Sequence, residues 1–463
     1  MIDRASSRSS SSPADSFNHQ DGQFATAFSI LQKAIANRAF PGASIAVTHA
    51  GKLVALKAIG HFTYERHGDN ESGSATDASS SSLGAPFLAA FARSGDSTTE
   101  NLAVHPSTLF DLASLTKVLA TTPMAMLLYE RGILDLDTPV AEIVAEFLAD
   151  SAKDPHRRKV TLRMLLAHSS GLPAYEKLFQ KAKTRDELLH AALTTPLAAD
   201  PGSRAVYSDI GFIILGIALE RLASEPLDRF CQREIFGPLA MTSTTFSPPA
   251  EFRAQIPPTA DERPCGAGAL ARELPKSQPQ SSASPQNPSS TFRRRVIQGE
   301  VQDENAYVLG AVAPHAGLFS TALDLAKYAH CMLDCGAGMC GAGALARENP
   351  YLKSKDDQHR RKLARPLFRP ETIALFTSRN SSPQGTTRTL GWDTPSNPSQ
   401  SGKYFLAQSF GHLGYTGTSL WIDPQRQLSI TVLTNRTWPD CTNQAIKQVR
   451  PKFHDAVGES IKT

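Results

Sequence analysis

Apolar residues in FATAFSILQKAIANRAF (24–40) recur at three- and four-residue spacing, which predicts an amphipathic helix. The next run, GASIAVTHAGKLVALKAIGHF (42–62), has apolar-rich segments on either side of Ala50 and Gly51, the pattern of a hairpin. From about 66 to 101 the chain turns Ser-, Gly- and Asp-rich around one apolar island, LGAPFLAAFA, and reads as an inserted loop. Helical patterns then dominate: 114–131, the short TLRMLLAHSSGL ending at Gly171, DELLHAALTT and DIGFIILGIALERLA. Pro123 has no backbone N–H, so it is expected to kink or divide the 114–131 helix, with Thr121 and Thr122 placed to satisfy the freed carbonyl.

Strand patterns return near the C-terminus. GHLGYTGTSLWI (411–422) and QLSITVLTN (427–435) flank DPQR, a turn with Pro at a favoured position, and a helix is predicted within CTNQAIKQVRPKFHDAV (441–457). Strands from both chain ends bracket a mainly helical middle. The expected class is α+β: one antiparallel sheet built from both ends, flanked by helices, with a mainly helical lobe beside it. Residues 1–22 read as a disordered polar tail and 23–458 as one domain of two lobes. Low-complexity inserts are expected near 66–101, 265–290 and 335–362. The last two share the string CGAGALARE, which reads as a duplicated surface insert without chemistry.

Composition narrows the function classes. With 41% hydrophobic and 20% charged residues the chain is an ordinary globular one, and a net charge of +4 is only mildly basic. The short basic clusters HRRK, RRR and HRRK lie in polar surroundings without interleaved aromatics, so no nucleic-acid partner is expected. No run reaches the roughly 20 apolar residues of a membrane span. The N-terminus lacks the apolar core of a signal peptide, so the expected location is cytoplasmic, or periplasmic if the start is misassigned. Six cysteines are too sparse for a disulfide framework, and Cys331, Cys335 and Cys340 match no common zinc spacing. No metal is expected.

The chemistry centres on FDLASLTKVLATT (110–122). Ser114 and Lys117 stand at i and i+3 and share a helix face: either a chance pair or a nucleophile beside its proton acceptor. Tyr207 and Asp209 follow in YSD, just before an apolar helix, and His412 and Gly414 lie in HLG on a C-terminal strand. Asp209 also suits an N-cap. His168 and His315 are given structural roles, and Trp421 and Phe319 core positions.

With LFDLASLTKV, LLAHSSGLPAY, PGSRAVYSDIGFIILG, GEVQDENAYVLGAVAPHAGLFSTALDLAKYA and GHLGYTGTSLWIDP in this order, the chain resembles the β-lactamase-related serine hydrolases. That family holds class C β-lactamases, DD-peptidases, D-aminopeptidases and β-lactamase-like esterases. The resemblance implies Ser114 as nucleophile, Lys117 and Tyr207 sharing its proton, and an oxyanion hole from the backbone N–H groups of Ser114 and Tyr415. It implies no cofactor, and a small-molecule ester, amide or peptide as substrate. His412, Gly414 and Asp209 would contact that substrate. Two positions depart from the common pattern: His412 stands where Lys is frequent, and Asp209 where Asn is. A neutral His brings no fixed charge for a substrate carboxylate, and an ionised Asp cannot donate to an amide carbonyl. Both departures favour small esters over penicillins. The alternative is a non-catalytic ligand-binding or sensory module on the penicillin-binding fold.

Overall fold

The computed structural model describes residues 19–64, 102–149, 154–263, 292–337 and 366–461. The expected inserts fall largely outside these segments, as do both CGAGALARE copies. Five strands form the main sheet in the order β2-β1-β10-β9-β8, antiparallel throughout. They are β1 (Gly42–His49), β2 (Lys52–Gly60), β8 (Phe410–Leu413), β9 (Ser419–Asp423) and β10 (Leu428–Thr434). Strands from the two chain ends therefore meet at the β1–β10 pair, as the patterning predicts. Ala50 and Gly51 both adopt positive φ, which matches the twist of a two-residue hairpin.

Two details differ from expectation. The run 411–422 is not one strand. It breaks into β8 and β9 at a tight turn in which Gly414 donates to the Thr418 carbonyl. The polar N-terminal stretch is ordered before residue 23: Gln20 accepts from the Leu56 N–H at 3.1 Å, and Asp21 pairs with Lys57 at 2.9 Å, so this end docks on β2.

The helices Ala25–Ala36 and Ile446–Ile461 cover one face of the sheet, with Phe24, Phe28, Leu31, Phe453 and Val457 sealed against Ile45, Val47, Ile430 and Val432. The helix Ala322–Gly336 packs on the other face, against β1 and β10. Beyond it lies the helical region, including Thr122–Glu130, Arg185–Leu193 and Asp209–Ala223, whose apolar core is continuous with that face. Short strands tie the regions together: β3 (Phe110–Asp111) pairs with β7 (Leu318–Ser320), which also pairs with β4 (Thr245–Phe246). β3 delivers the chain directly to Ser114. A further pair, β5 (Pro258–Asp261) and β6 (Val296–Gln298), completes the strands. Among the described residues no helix is long and apolar enough to cross a membrane.

Candidate active site

The segment expected as one helix from Ser114 is three pieces. A 3-10 turn (Ala113–Leu115) is followed by a π-helical turn (Lys117–Thr121) and an α-helix (Thr122–Glu130) with Pro123 in its first turn. Pro123 thus divides the run, because a first-turn residue needs no intrahelical donor. Thr121 does not satisfy a local carbonyl. Its hydroxyl donates to Pro314 O at 2.6 Å, while Thr122 Oγ1 has no partner among the described residues. Single π turns are frequent at functional sites, and this one carries Lys117.

Ala113, immediately before Ser114, adopts a φ of +48°, a left-handed conformation that Ala rarely takes. Asp111 holds it there. One carboxylate oxygen accepts from the Ala113 N–H at 2.8 Å and the other from the Gln302 N–H at 2.7 Å. Burial pushes the Asp111 carboxyl up to about 6.

Ser114 is partly exposed, whereas Lys117 is fully buried. Lys117 Nζ lies 3.1 Å from Ser114 Oγ, 2.6 Å from Asp209 Oδ1 and 2.9 Å from the His315 carbonyl oxygen. An ammonium has three N–H donors, and here three acceptors surround it. Burial pulls Lys117 down from its ordinary value, and Asp209 opposes that. Tyr207 Oη stands 2.7 Å from Ser114 Oγ and donates to Asp209 Oδ1 at 2.9 Å. A phenol has one hydrogen. With it given to Asp209, the Ser114 hydroxyl is the donor to Tyr207. Burial, and then the Asp209 charge, push the Tyr207 phenol well above its ordinary value. A standing phenolate is therefore disfavoured.

Tyr207 and Asp209 are placed by local pinning. Ser208, not Asp209, caps the helix Asp209–Ala223: its hydroxyl accepts from the Gly211 N–H at 3.0 Å and donates to Pro173 O at 2.6 Å. The Asp209 carboxylate is left for Lys117 and Tyr207. His168 accepts the Ser208 N–H on Nδ1 at 3.0 Å and the Val206 N–H on its carbonyl at 2.8 Å, and its ring packs 4.8 Å from that of Tyr207. His315 lends its carbonyl to Lys117 and sits 3.1 Å from Asp303 by Nε2. Burial works against the Asp303 carboxylate, yet His315 and the Ala306 N–H hold it below the usual range.

His412 is buried on β8, with its ring 6.0 Å from the Tyr207 ring. Its Nδ1 lies 2.8 Å from the Leu413 carbonyl, so Nδ1 carries the hydrogen, and Nε2 has no partner among the described residues. Burial, Lys117 and Arg388 push His412 well below its ordinary value, which keeps it neutral.

The turn after β8 is clamped to the nucleophile segment. Thr416 Oγ1 donates to Asp111 O at 2.8 Å and Thr418 Oγ1 to Leu112 O at 3.0 Å. Gly414 fits only because it has no Cβ, which would meet Thr418 Oγ1 at 1.9 Å and Leu112 O at 2.5 Å. The Tyr415 N–H donates to no described backbone carbonyl.

The structure thus gathers Ser114, Lys117, Tyr207 and Asp209 into one hydrogen-bonded cluster, with His412 beside Tyr207. Gly414 and Tyr415 lie on a turn fixed to the residues before Ser114. Sequence reasoning missed the His315 carbonyl, Asp303 and Arg388. HAGLFST (315–321) stands in a family-like block and is a usable pointer to His315. Arg388 sits in a Ser/Thr-rich stretch with no such signal. Its guanidinium lies 5.5 Å from the centre of the Tyr207 ring.

Comparison with known proteins identifies the family and the fold. The family described as Beta-lactamase matches residues 28–449. A putative D-alanyl-D-alanine carboxypeptidase of Escherichia coli (strain K12) is 33% identical over 344 residues, which cover 71% of this chain and 69% of that protein. Among solved structures, the hydrolase EstCE1, which has promiscuous acyltransferase activity, superposes with a TM-score of 0.62 at 19% identity, covering 95% of this chain and 99% of that one. A β-lactamase/D-alanine carboxypeptidase from Pseudomonas syringae gives 0.57 at 15% identity, covering 94% and 98%. These two likenesses speak to the fold.

Proposed function

The chain belongs to the Beta-lactamase family of serine hydrolases, and from that premise we propose an acyl-enzyme mechanism on an ester or amide in which Asp209 is the final proton acceptor. The observation that carries the reading is the donor count: Lys117 and the Tyr207 hydroxyl both donate to Asp209 Oδ1, which leaves the Ser114 hydrogen directed to Tyr207.

The steps follow from that direction. Ser114 Oγ bonds to the substrate carbonyl carbon. Its proton passes to Tyr207 Oη as Tyr207 passes its own to Asp209. Lys117, with its charge held by three acceptors, orients Ser114 Oγ and offsets negative charge developing near it. The N–H groups of Ser114 and Tyr415 receive the oxyanion. When the C–N or C–O bond breaks, Tyr207 returns a proton to the leaving group and is refilled from Asp209. Water then repeats the relay on the acyl-enzyme and releases the acid. A pure binding module has no use for a nucleophile, a relay and a buried cation hydrogen-bonded in series.

Intact-mass spectrometry after incubation with a fluorophosphonate, a penicillin and a p-nitrophenyl ester tests the reading. The expected result is a single covalent adduct that maps to Ser114 and is lost in Ser114→Ala, with the variant's turnover below roughly a hundredth of wild type. An unlabelled wild type, or a fully active Ser114→Ala, would overturn it.

A further inference from the structure

Every carbonyl of the turn from Gly414 to Thr418 is held. Gly414 O accepts from the Gly417 N–H at 3.0 Å, and Thr418 O from the Gly414 N–H at 2.8 Å. Tyr415 O accepts from Arg436 Nε at 2.8 Å. Thr416 O accepts from the Arg436 N–H and from Thr434 Oγ1, each at 3.0 Å. Gly417 O accepts from Arg450 Nη2 at 3.0 Å. Arg436 lies just past β10, and its Nη1 also donates to Cys441 O and Asn443 O at 2.8 Å, which anchors the guanidinium on the C-terminal segment. Arg450 comes from the helix Ile446–Ile461, and its Nη1 donates to Gln400 Oε1 at 2.8 Å. The fit is close: a Cβ on Gly417 would meet Arg436 Cγ at 2.6 Å.

Arg436 and Arg450 are buried, at 5% and 3% exposure. Among the described residues both spend their donors on carbonyl and amide oxygens and neither forms an ion pair with a carboxylate. Burial, and then the like charge of Arg436, pull Arg450 down to about 9, so it keeps its charge at neutral pH. Two buried cations acting on each other cost stability, and a five-residue turn can close without them. What they add is direction and field. With its carbonyls tied to the arginines, the turn leaves the Tyr415 N–H without a described backbone acceptor. Backbone dimensions put Tyr415 N within about 4 Å of its own carbonyl oxygen, so Arg436 Nε lies within about 7 Å of that donor.

We infer that Arg436 and Arg450 are positioning residues of the oxyanion hole: by holding the carbonyls of Tyr415 and Gly417 they fix the turn so that the Tyr415 N–H meets the substrate carbonyl oxygen as negative charge forms on it. This rests on the acyl-enzyme reading above, in which Ser114 and Tyr415 donate to that oxygen. A donor fixed in advance costs no reorganisation when the charge develops. A buried cation close behind it adds an attraction that grows with that charge, so it is strongest in the transition state. Neither arginine is exposed to touch substrate. Thr416 and Thr418 clamp the turn to the nucleophile segment, and the two arginines clamp it to the C-terminal segment.

The test compares p-nitrophenyl acetate with its thiono analogue, in which sulfur replaces the carbonyl oxygen. Sulfur is the weaker hydrogen-bond acceptor, so the thiono ester gains little from the hole. After division by the hydroxide rates of the two esters, wild type is expected to prefer the oxo ester in kcat/KM by roughly 100-fold, the scale of one hole donor. In Arg436→Gln, kcat/KM on the oxo ester should fall by roughly 10- to 100-fold and on the thiono ester by less than about threefold, so the preference collapses. Arg450→Gln should show the same pattern more weakly, and Arg436→Lys should recover part of the preference. Rates are taken per active site, counted from the endpoint of fluorophosphonate labelling, which removes misfolded protein from the comparison. If Arg436→Gln does not fold, Arg436→Lys and Arg450→Gln carry the same test. A wild type without oxo preference, or equal losses on both esters in every folded variant, overturns the inference, and equal losses would mark the arginines as structural supports. Absence of label on Ser114 in wild type overturns the acyl-enzyme reading and this inference with it, whereas label with equal losses overturns the inference alone.

Discussion

Along β1, Ala43, Ile45 and Val47 point to one face of the sheet, and Ser44, Ala46 and Thr48 to the other. β10 repeats the division with Leu428, Ile430 and Val432 against Ser429, Thr431 and Leu433. The first face is dry and closed by Phe24, Phe28 and Phe453. The second buries hydroxyls: Thr48 Oγ1 and Ser429 Oγ share a hydrogen bond of 2.6 Å, and small side chains admit the helix Ala322–Gly336. Farther out on that side the buried polarity culminates in Lys117 and its acceptors. The difference separates two jobs. The apolar face holds the sheet together, and the polar side, packed beyond the sheet, holds charges in register for chemistry.

The comparison breaks most visibly on the apolar face. Ile430 is fully buried there, and Ile430→Ala is expected to lower stability by about 2 to 5 kcal/mol through lost burial and a residual cavity. Per folded molecule, hydrolysis should change little. Denaturant melts paired with activity below the transition check this. A stable variant that has lost its activity would show that the two faces are not separable.

The converse holds at Asp209. Asp209→Asn keeps the shape but removes the relay's acceptor, so kcat/KM at neutral pH should fall by roughly 10² to 10³ per folded molecule. Proton removal then needs Tyr207 itself, and burial still holds that phenol high. The pH–rate profile of the variant should therefore shift its rising limb alkaline. A profile that matches wild type would assign the base elsewhere.

The smallest expected effect sharpens the comparison at Asp111, where strain and polarity meet. Burial raises its carboxyl from 3.8 to about 6, so the folded protein keeps a proton that the unfolded chain has already released. Stability should fall as pH rises from about 4 to about 6, by up to about 2 to 3 kcal/mol, and then level off. Asp111→Asn should lose this slope, whatever its baseline stability. Chemical denaturation at pH 4, 5, 6 and 7 gives the slope for both proteins, and parallel curves would show that Asp111 does not titrate in that window.

Much of the sheet is legible in the sequence because period-two alternation and the Ala50-Gly51 turn are local signals. Ser114 with Lys117, and Tyr207 with Asp209, are legible because each pair is close in the chain. The break at 414–418 was missed because two short strands across a tight turn carry the same apolar pattern as one long strand. The left-handed Ala113 was missed because Ala is a good helix former, and the Asp111 carboxylate that holds it is itself oriented by the distant Gln302 N–H. The His315 contribution is a backbone carbonyl, which any residue supplies, so only the surrounding HAGLFST block, not the His side chain, points to it. Arg388 reaches Tyr207 from a segment far along the chain, and long-range approach leaves no spacing to read.

The clamp from Thr416 and Thr418 onto the carbonyls of Asp111 and Leu112 joins residues separated by more than 300 positions. During synthesis, a chain extended only to residue 400 already contains Ser114, Lys117, Tyr207 and Asp209. It lacks β8, β9 and β10, and so the turn that carries the Tyr415 N–H. A polypeptide truncated before residue 410 is therefore expected to be hydrolytically silent. Competence is expected only once the last strands dock against β1 and the 414–418 turn meets the residues before Ser114.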